Sequence, residues 1–165
     1  MKQSALTHII SEFESENIRY LIVGGLAVVF YGYLRLTTDI DIVIDFEQNN
    51  IDKAIVILKK LGYQPLIPVN IDDFADSEIR KKWIEEKNII VFSLISQNFI
   101  ETPIDIFVDI PFCFHEEYKN LVRAEIASGV FANFLSYERL IKMKQLSNRE
   151  LDISDIQHLE QLYGK

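Results

Sequence analysis

One cysteine, Cys113, is all that this 165-residue chain contains, so no internal disulfide framework can form. The N-terminal stretch MKQSALTHIISEFESE threads polar residues through its apolar ones and lacks a small-residue cleavage pattern. It does not read as an export signal, and with a lone thiol the expected location is cytoplasmic. No apolar run is long enough to span a membrane. Glycine and proline are scarce, at six and four residues, which excludes a low-complexity or collagen-like chain. Positive charge is short as well. Against 25 Asp and Glu there are 17 Lys and Arg, and the net charge of −8 disfavours a protein that coats nucleic acid by charge alone. Brief contact with an RNA end stays open, particularly where a metal offsets the acidic charge. What is present is a 48% hydrophobic composition over a length that suits one domain, 1–165, with a core of its own.

The stretch RYLIVGGLAVVFYGYLRLTTDIDIVID, Arg19 to Asp45, organises the rest. Tyr20-Leu21-Ile22-Val23 has the length and composition of a buried strand. Gly24 and Gly25 follow, and the apolar segment from Leu26 to Tyr33 is too long and continuous for a hairpin turn. A strand, a Gly-Gly turn and a helix bring bare backbone N–H groups to a helix N-terminus, a place for a phosphate. The chain returns through Arg35, Thr37 and Thr38 into Asp39-Ile40-Asp41-Ile42-Val43-Ile44-Asp45. Side chains alternate along a strand, so Asp39 and Asp41 share one face while Ile40, Ile42 and Ile44 face a core. Two carboxylates side by side repel each other unless a cation sits between them, and hard oxygen ligands suit Mg²⁺. The combination predicts a metal–nucleotide site.

The remaining segments predict a frame for that unit. Leu6, Ile9, Ile10 and Phe13 fall at helical spacing after a candidate cap, Ser4. A polar turn, Glu47 to Asn50, leads to a helix carrying Ile51, Ala54, Ile55, Leu58 and Leu61 and stopped by Gly62. Gln64 to Lys87 is interrupted by Pro65 and Pro68, and then predicts a surface helix from about Asp73 to Glu86, anchored by Trp83. As a lid that helix would turn Arg80, Lys81 and Lys82 toward a ligand; as a packing helix it would not. Strands are expected at Asn88–Ile95 and Pro103–Ile110, the second with Asp105, Phe107 and Asp109 on one face. An aspartate between isoleucines needs a partner, because an unpaired buried carboxylate is costly or takes up a proton. A metal held by Asp39 and Asp41 supplies one if the two strands are neighbours. His115 beside Glu116 and Glu117 reads as solvated surface, since adjacent residues do not converge easily on one ion. Arg123 to Phe134 predicts a hairpin around Ser128-Gly129. Ser136 then caps a helix bearing Leu140, Ile141, Met143 and Leu146, Ser147-Asn148 breaks it, and a second helix presents Ile153, Ile156, Leu159 and Leu162 as a stripe. The expected fold is α/β: a small mixed β-sheet flanked by helices, with its catalytic core in 19–110 and a C-terminal helical pair in 136–165.

Neither a dinucleotide fingerprint nor a Walker A loop is present. The order strand, Gly24-Gly25, helix, Asp39-Ile40-Asp41 strand and a later Ile104-Asp105-Ile106 strand instead resembles the DNA polymerase beta-like nucleotidyltransferase superfamily. The segment GGLAVVFYGYLRLTTDIDIVI is most similar to the small bacterial members. These include the nucleotidyltransferase toxins of abortive-infection toxin–antitoxin pairs and the lincosamide and aminoglycoside nucleotidyltransferases. The closing stretch LSYERLIKMKQLSNRELDISDIQHL resembles theirs too, with a lysine-bearing helix before Arg149, Asp152 and Asp155. Asn148 and Leu151 stand where many relatives have Gly and Lys. The resemblance implies an Mg²⁺-dependent enzyme holding two ions, with Mn²⁺ as an alternative. It would move a nucleoside monophosphate from a nucleoside triphosphate such as ATP to an acceptor hydroxyl. Asp39 and Asp41 would hold both ions, and Asp105 the one on the acceptor side. Gly24 and Gly25 would bind the β- and γ-phosphates, with Arg35, Thr38 and Lys144 as further phosphate ligands. The acceptor implied first is tRNA, with a separate antitoxin protein as partner. The alternatives are a small hydroxylated molecule, or a catalytically inactive binding relative.

Overall fold

The computed structural model describes residues 3–163. Its centre is a seven-stranded mixed sheet in the order β3-β4-β5-β2-β1-β7-β6. The strands are β1 (Tyr20–Ile22), β2 (Ile40–Ile44), β3 (Tyr63–Pro65), β4 (Val91–Ser96), β5 (Ile104–Phe107), β6 (Val122–Ala127) and β7 (Val130–Phe134). The helices are α1 (Gln3–Ser15), α2 (Gly24–Phe30), α3 (Gln48–Lys60), α4 (Ser77–Lys87), α5 (Phe114–Lys119), α6 (Tyr137–Ser147) and α7 (Glu150–Tyr163), with a 3₁₀ turn at Ile71–Ala75. The α/β class, the mixed sheet and the C-terminal helical pair are as expected; Lys165 and Gly164, the end of that pair's expected range, lie outside the described residues.

β2 is the central strand because its composition allows burial on both sides of the register. Ile40, Ile42 and Ile44 enter the core, and Val43 on the other face is covered as well, by the neighbourhood of α2. β1 pairs with β2 antiparallel, and β5 pairs with it parallel, aligning Asp41 with Asp105. The neighbour relation that the sequence required for Asp105 is therefore present. On the far side of the sheet, α1 contributes Leu6, Ile9, Ile10 and Phe13, and α3 contributes Ile51, Ala54, Ile55 and Leu58 to the same core. Burying such side chains contributes roughly 1.5–3 kcal/mol each.

Several expectations change. Ser4 lies inside α1 rather than before it. The polar run Glu47 to Asn50 is no turn: Glu47 caps α3 by accepting from the Asn49 N–H, and Asn50 is buried, bonding the Arg19 and Asp45 backbones. Asp76 divides the surface segment into the 3₁₀ turn and α4, capping the latter with bonds to Glu78 N and Ile79 N. α4 packs through Trp83, stacked on Phe92, and Arg80 is buried over the Phe46 ring with its guanidinium donating to the Phe74 carbonyl. It is a packing helix on the face of β4 opposite to the acids. Glu117, read as solvated, is buried and accepts from Ser136 and Arg139.

The largest correction concerns α7. The predicted apolar stripe is split, with Leu159 buried and Ile156 half-buried but Ile153 and Leu162 exposed, and Asp152 and Asp155 are buried beside Leu159. α6 likewise buries Leu140 and Lys144 and exposes Leu146. The physical reason is that the charges neutralise each other inside, as the site geometry makes plain.

Candidate active site

The site begins with the acids. Asp41 and Asp105 face each other across the parallel β2–β5 ladder, and Asp39 stands one pleat before Asp41. One carboxylate oxygen from each of the three lies within 4.8 Å of the others. Among the described residues, none of the three forms an ion pair; the nearby cations are engaged elsewhere. Burial, reinforced by the charges of Asp39 and Asp105, pushes the Asp41 carboxyl up to about 6. Burial also raises Asp105, against a hydrogen bond from Ser93 on β4 that lowers it. A cluster of converging, mutually repelling carboxylates with hard oxygen donors fits a divalent cation such as Mg²⁺.

Beside the acids is the Gly-Gly turn. Gly24 has φ +58°, a conformation that favours glycine, and a Cβ there would lie 1.8 Å from Asp41 Oδ2. The Gly25 N–H donates to the same oxygen at 3.2 Å. A Cβ on Gly25 would meet Thr37 Oγ1 at 2.5 Å. The glycines are thus required by close approach: backbone, the Asp41 carboxylate and Thr37 occupy one small volume. Thr37 also donates to Asp39 at 3.4 Å, while Thr38, the threonine picked out in the sequence, is exposed. A simple signal distinguishes them. From Tyr33 to Asp39 the odd-numbered residues are half-buried and the even-numbered ones exposed, so the strand alternation begins well before β2.

The third part is an ion network from the C-terminal helices. Arg35, in the same inward series, pairs with Asp155 through Nε at 2.8 Å and Nη2 at 3.0 Å. Lys144, on α6, lies 2.6 Å from Asp155 and 3.0 Å from Asp152. Arg149 reaches Asp152 at 2.8 Å from the α6–α7 break, where Asn148 takes a left-handed conformation that lets the chain turn back. Burial alone would raise Asp152, but the hydrogen bonds from Arg149, Lys144 and Ser147 outweigh it and hold the carboxyl far below its usual range. Lys144 and Arg149 are both close enough to interact electrostatically with Asp41. The structure therefore brings Gly24, Gly25, Arg35 and Lys144 to the acids, and adds Thr37, Ser93, Arg149 and the two α7 aspartates that sequence reasoning gave no precise role. His8 and His115 stay apart, against Phe99 and Asp45 respectively.

No protein-family model and no curated protein matches the chain in sequence. Solved structures do match. The lincomycin-bound crystal structure of the lincosamide antibiotic adenylyltransferase LnuA aligns with a TM-score of 0.64 at 18% identity, covering 98% of both chains. ANT(2″)-Ia in complex with adenylyl-2″-tobramycin aligns at 0.63 and 14% identity, covering 98% of this chain and 89% of that one. An antigenic nucleotidyltransferase-like protein from Paracoccidioides brasiliensis gives 0.58 and 19% identity, covering 97% and 75%. These similarities run nearly end to end through sheet and C-terminal helices alike, and the chain has the nucleotidyltransferase fold.

Proposed function

We propose that this protein is a nucleotidyltransferase that moves a nucleoside monophosphate from a nucleoside triphosphate to an acceptor hydroxyl, using Mg²⁺ held by Asp39, Asp41 and Asp105. The observation that carries this reading is the convergence of those three carboxylates, without a paired cation among the described residues, against the Gly24-Gly25 turn. When bound, a divalent ion would acidify the attacking hydroxyl and stabilise charge on the leaving oxygen. The chain's own residues do the rest. Asp105 takes the proton as the acceptor oxygen bonds to the α-phosphorus. The bond from that phosphorus to the bridging oxygen breaks, and pyrophosphate leaves with the electron pair. Gly24 and Gly25 present backbone N–H groups to the β- and γ-phosphates. Arg35, Thr37 and Lys144 supply cationic or hydroxyl hydrogen bonds, with the Asp155 and Asp152 carboxylates fixing where the two cations stand.

For the acceptor, a small hydroxylated molecule is the reading we favour. Two structural neighbours hold lincomycin and an adenylylated tobramycin, and the net charge of −8 opposes a polyanion. A tRNA acceptor, with a separate antitoxin partner, draws support from the Arg149, Asp152, Asp155 stretch, whose arginine side chain is 75% exposed beside the acids. The deciding experiment supplies each α-³²P-labelled nucleoside triphosphate with Mg²⁺ and offers lincomycin, tobramycin or total cellular RNA. Label on an acceptor, absent with Asp41→Asn, is the expected result. Triphosphate binding without transfer to any acceptor class would leave a binding relative as the better account.

A further inference from the structure

The face of the sheet that carries the acids is not uniform. On the β1 side of Asp41 it runs under α2 and toward the α6–α7 pair, the wall where Arg35, Lys144 and Arg149 stand. On the other side it continues over β5, β4 and β3. There the helices and the 3₁₀ turn pack against the opposite surface, through Phe74 and Trp83 stacked on Phe92. The acid-bearing surface of these three strands presents Phe107, Val91, Ser93, Ile95 and Gln64. Leu66 extends it: its N–H donates to the Ser93 carbonyl at 2.9 Å, continuing the β3–β4 register past Pro65. Leu66, Ser93, Asp105 and Asp41 therefore lie in one row across four strands.

Beyond Asp105 this half-face is open and uncharged. Leu66 is 62% and Ile95 42% exposed, and none of the six residues from Phe107 to Leu66 carries charge. Strands are spaced by about 4.8 Å, so Leu66 sits roughly 10 Å from Asp105, and Val91 and Ile95 flank the row by about 7 Å each way. Those are the dimensions of a molecule of one or two rings.

We propose that this face is the acceptor subsite, taking an amphiphilic, hydroxylated small molecule whose apolar side lies on Leu66, Val91, Ile95 and Phe107 while a hydroxyl reaches Asp105. Charge segregation carries the argument. The anionic triphosphate is drawn to the cationic wall, which leaves the uncharged side to the acceptor. A phosphate backbone laid across that side would meet no cation and would run beside Asp105. Ser93, already bonded to Asp105, and Gln64 offer the polar contacts that orient such a ligand.

The inference rests on the transferase reading, and the test separates the two. Leu66→Lys and Ile95→Lys change exposed side chains and put a cation on the platform without disturbing the core. With lincomycin as probe, each variant should raise the acceptor KM about tenfold, leave kcat within about twofold, and leave Mg²⁺–ATP affinity unchanged. An unchanged KM, or RNA labelling that the lysines increase, overturns the subsite. A turnover-free arm titrates lincomycin and total tRNA in turn into methyl-labelled full-length protein with Mg²⁺ and an α,β-methylene analogue of ATP. Shifts of the Leu66, Val91 and Ile95 methyls with lincomycin support the proposal; shifts with tRNA only, or with neither, overturn it. Methyl shifts without transfer would keep the subsite and reject the transferase reading.

Discussion

Two groups of aspartates stand within electrostatic reach of one another and are treated in opposite ways. Asp39, Asp41 and Asp105 come from β2, its leading residue and β5, are half-buried, and have no cation paired to them among the described residues; Asp41 is pushed up to about 6, first by burial and then by its neighbours. Asp152 and Asp155 come from one helix and are more deeply buried, yet every charge is answered: Arg35 and Lys144 on Asp155, Lys144 and Arg149 on Asp152. Depth of burial does not distinguish a functional acid from a structural one. The missing counter-charge does. An acid paired within the chain fixes the positions of its partners, whereas acids held together against their own repulsion are poised for a cation from outside.

The sharpest way to break the contrast is to remove one member of the paired group. Asp155→Ala leaves the half-buried Arg35 without its carboxylate and the buried Lys144 with Asp152 alone, and should cost roughly 3–5 kcal/mol, read as a shift in the urea midpoint at unchanged slope. Removing a member of the unpaired group should do the reverse. In the folded, metal-free chain Asp41 keeps its proton up to about 6, against an ordinary value of 3.8. Between these values the folded form holds the extra proton, so the Asp41 contribution to stability declines as pH rises through that window and is flat above it. Asp41→Asn should therefore be more stable than the parent by roughly 1–3 kcal/mol at pH 7 in EDTA, with the gap shrinking toward pH 4. Asp152 runs with the opposite sign: its contribution is complete above the usual carboxylate range and is lost as pH falls below it. Added Mg²⁺ should stabilise the parent and leave Asp41→Asn unmoved in a thermal melt; equal stabilisation of both would remove the metal assignment. The smallest effect belongs to Arg149→Ala. Its side chain is 75% exposed, so the loss should stay below about 1 kcal/mol, and a larger one would mean that Arg149 does more than pair with Asp152.

Much of the site was legible because it is local. Gly24-Gly25, the Asp-Ile-Asp alternation and the requirement that Asp105 have a partner all follow from strand period and the cost of burying charge, and the β2–β5 register meets that requirement. α7 was illegible for the complementary reason. An apolar stripe at Ile153, Ile156, Leu159 and Leu162 is the ordinary mark of an inward face, and Asp152 and Asp155 look solvated unless their partners are known. One of those partners, Arg35, stands 120 residues earlier and belongs to a loop with no periodic signature of its own. β3 was missed in a similar way, as a three-residue strand ending in proline that is defined by pairing with β4 rather than by any pattern of its own.

The bond between Arg35 and Asp155 also has a history each time the protein is made. Translation at roughly 5–20 residues per second separates the emergence of these two residues by on the order of 6–24 s. Once β5 has emerged, the sheet that brings Asp39, Asp41 and Asp105 together can be present while Arg35 lacks its counter-ion and Lys144 has yet to arrive. The site's electrostatics are thus completed late, after the sheet that supports them. A chain stalled between β7 and α6 would display the three acids and Arg35, with neither Lys144 nor Arg149 beside them.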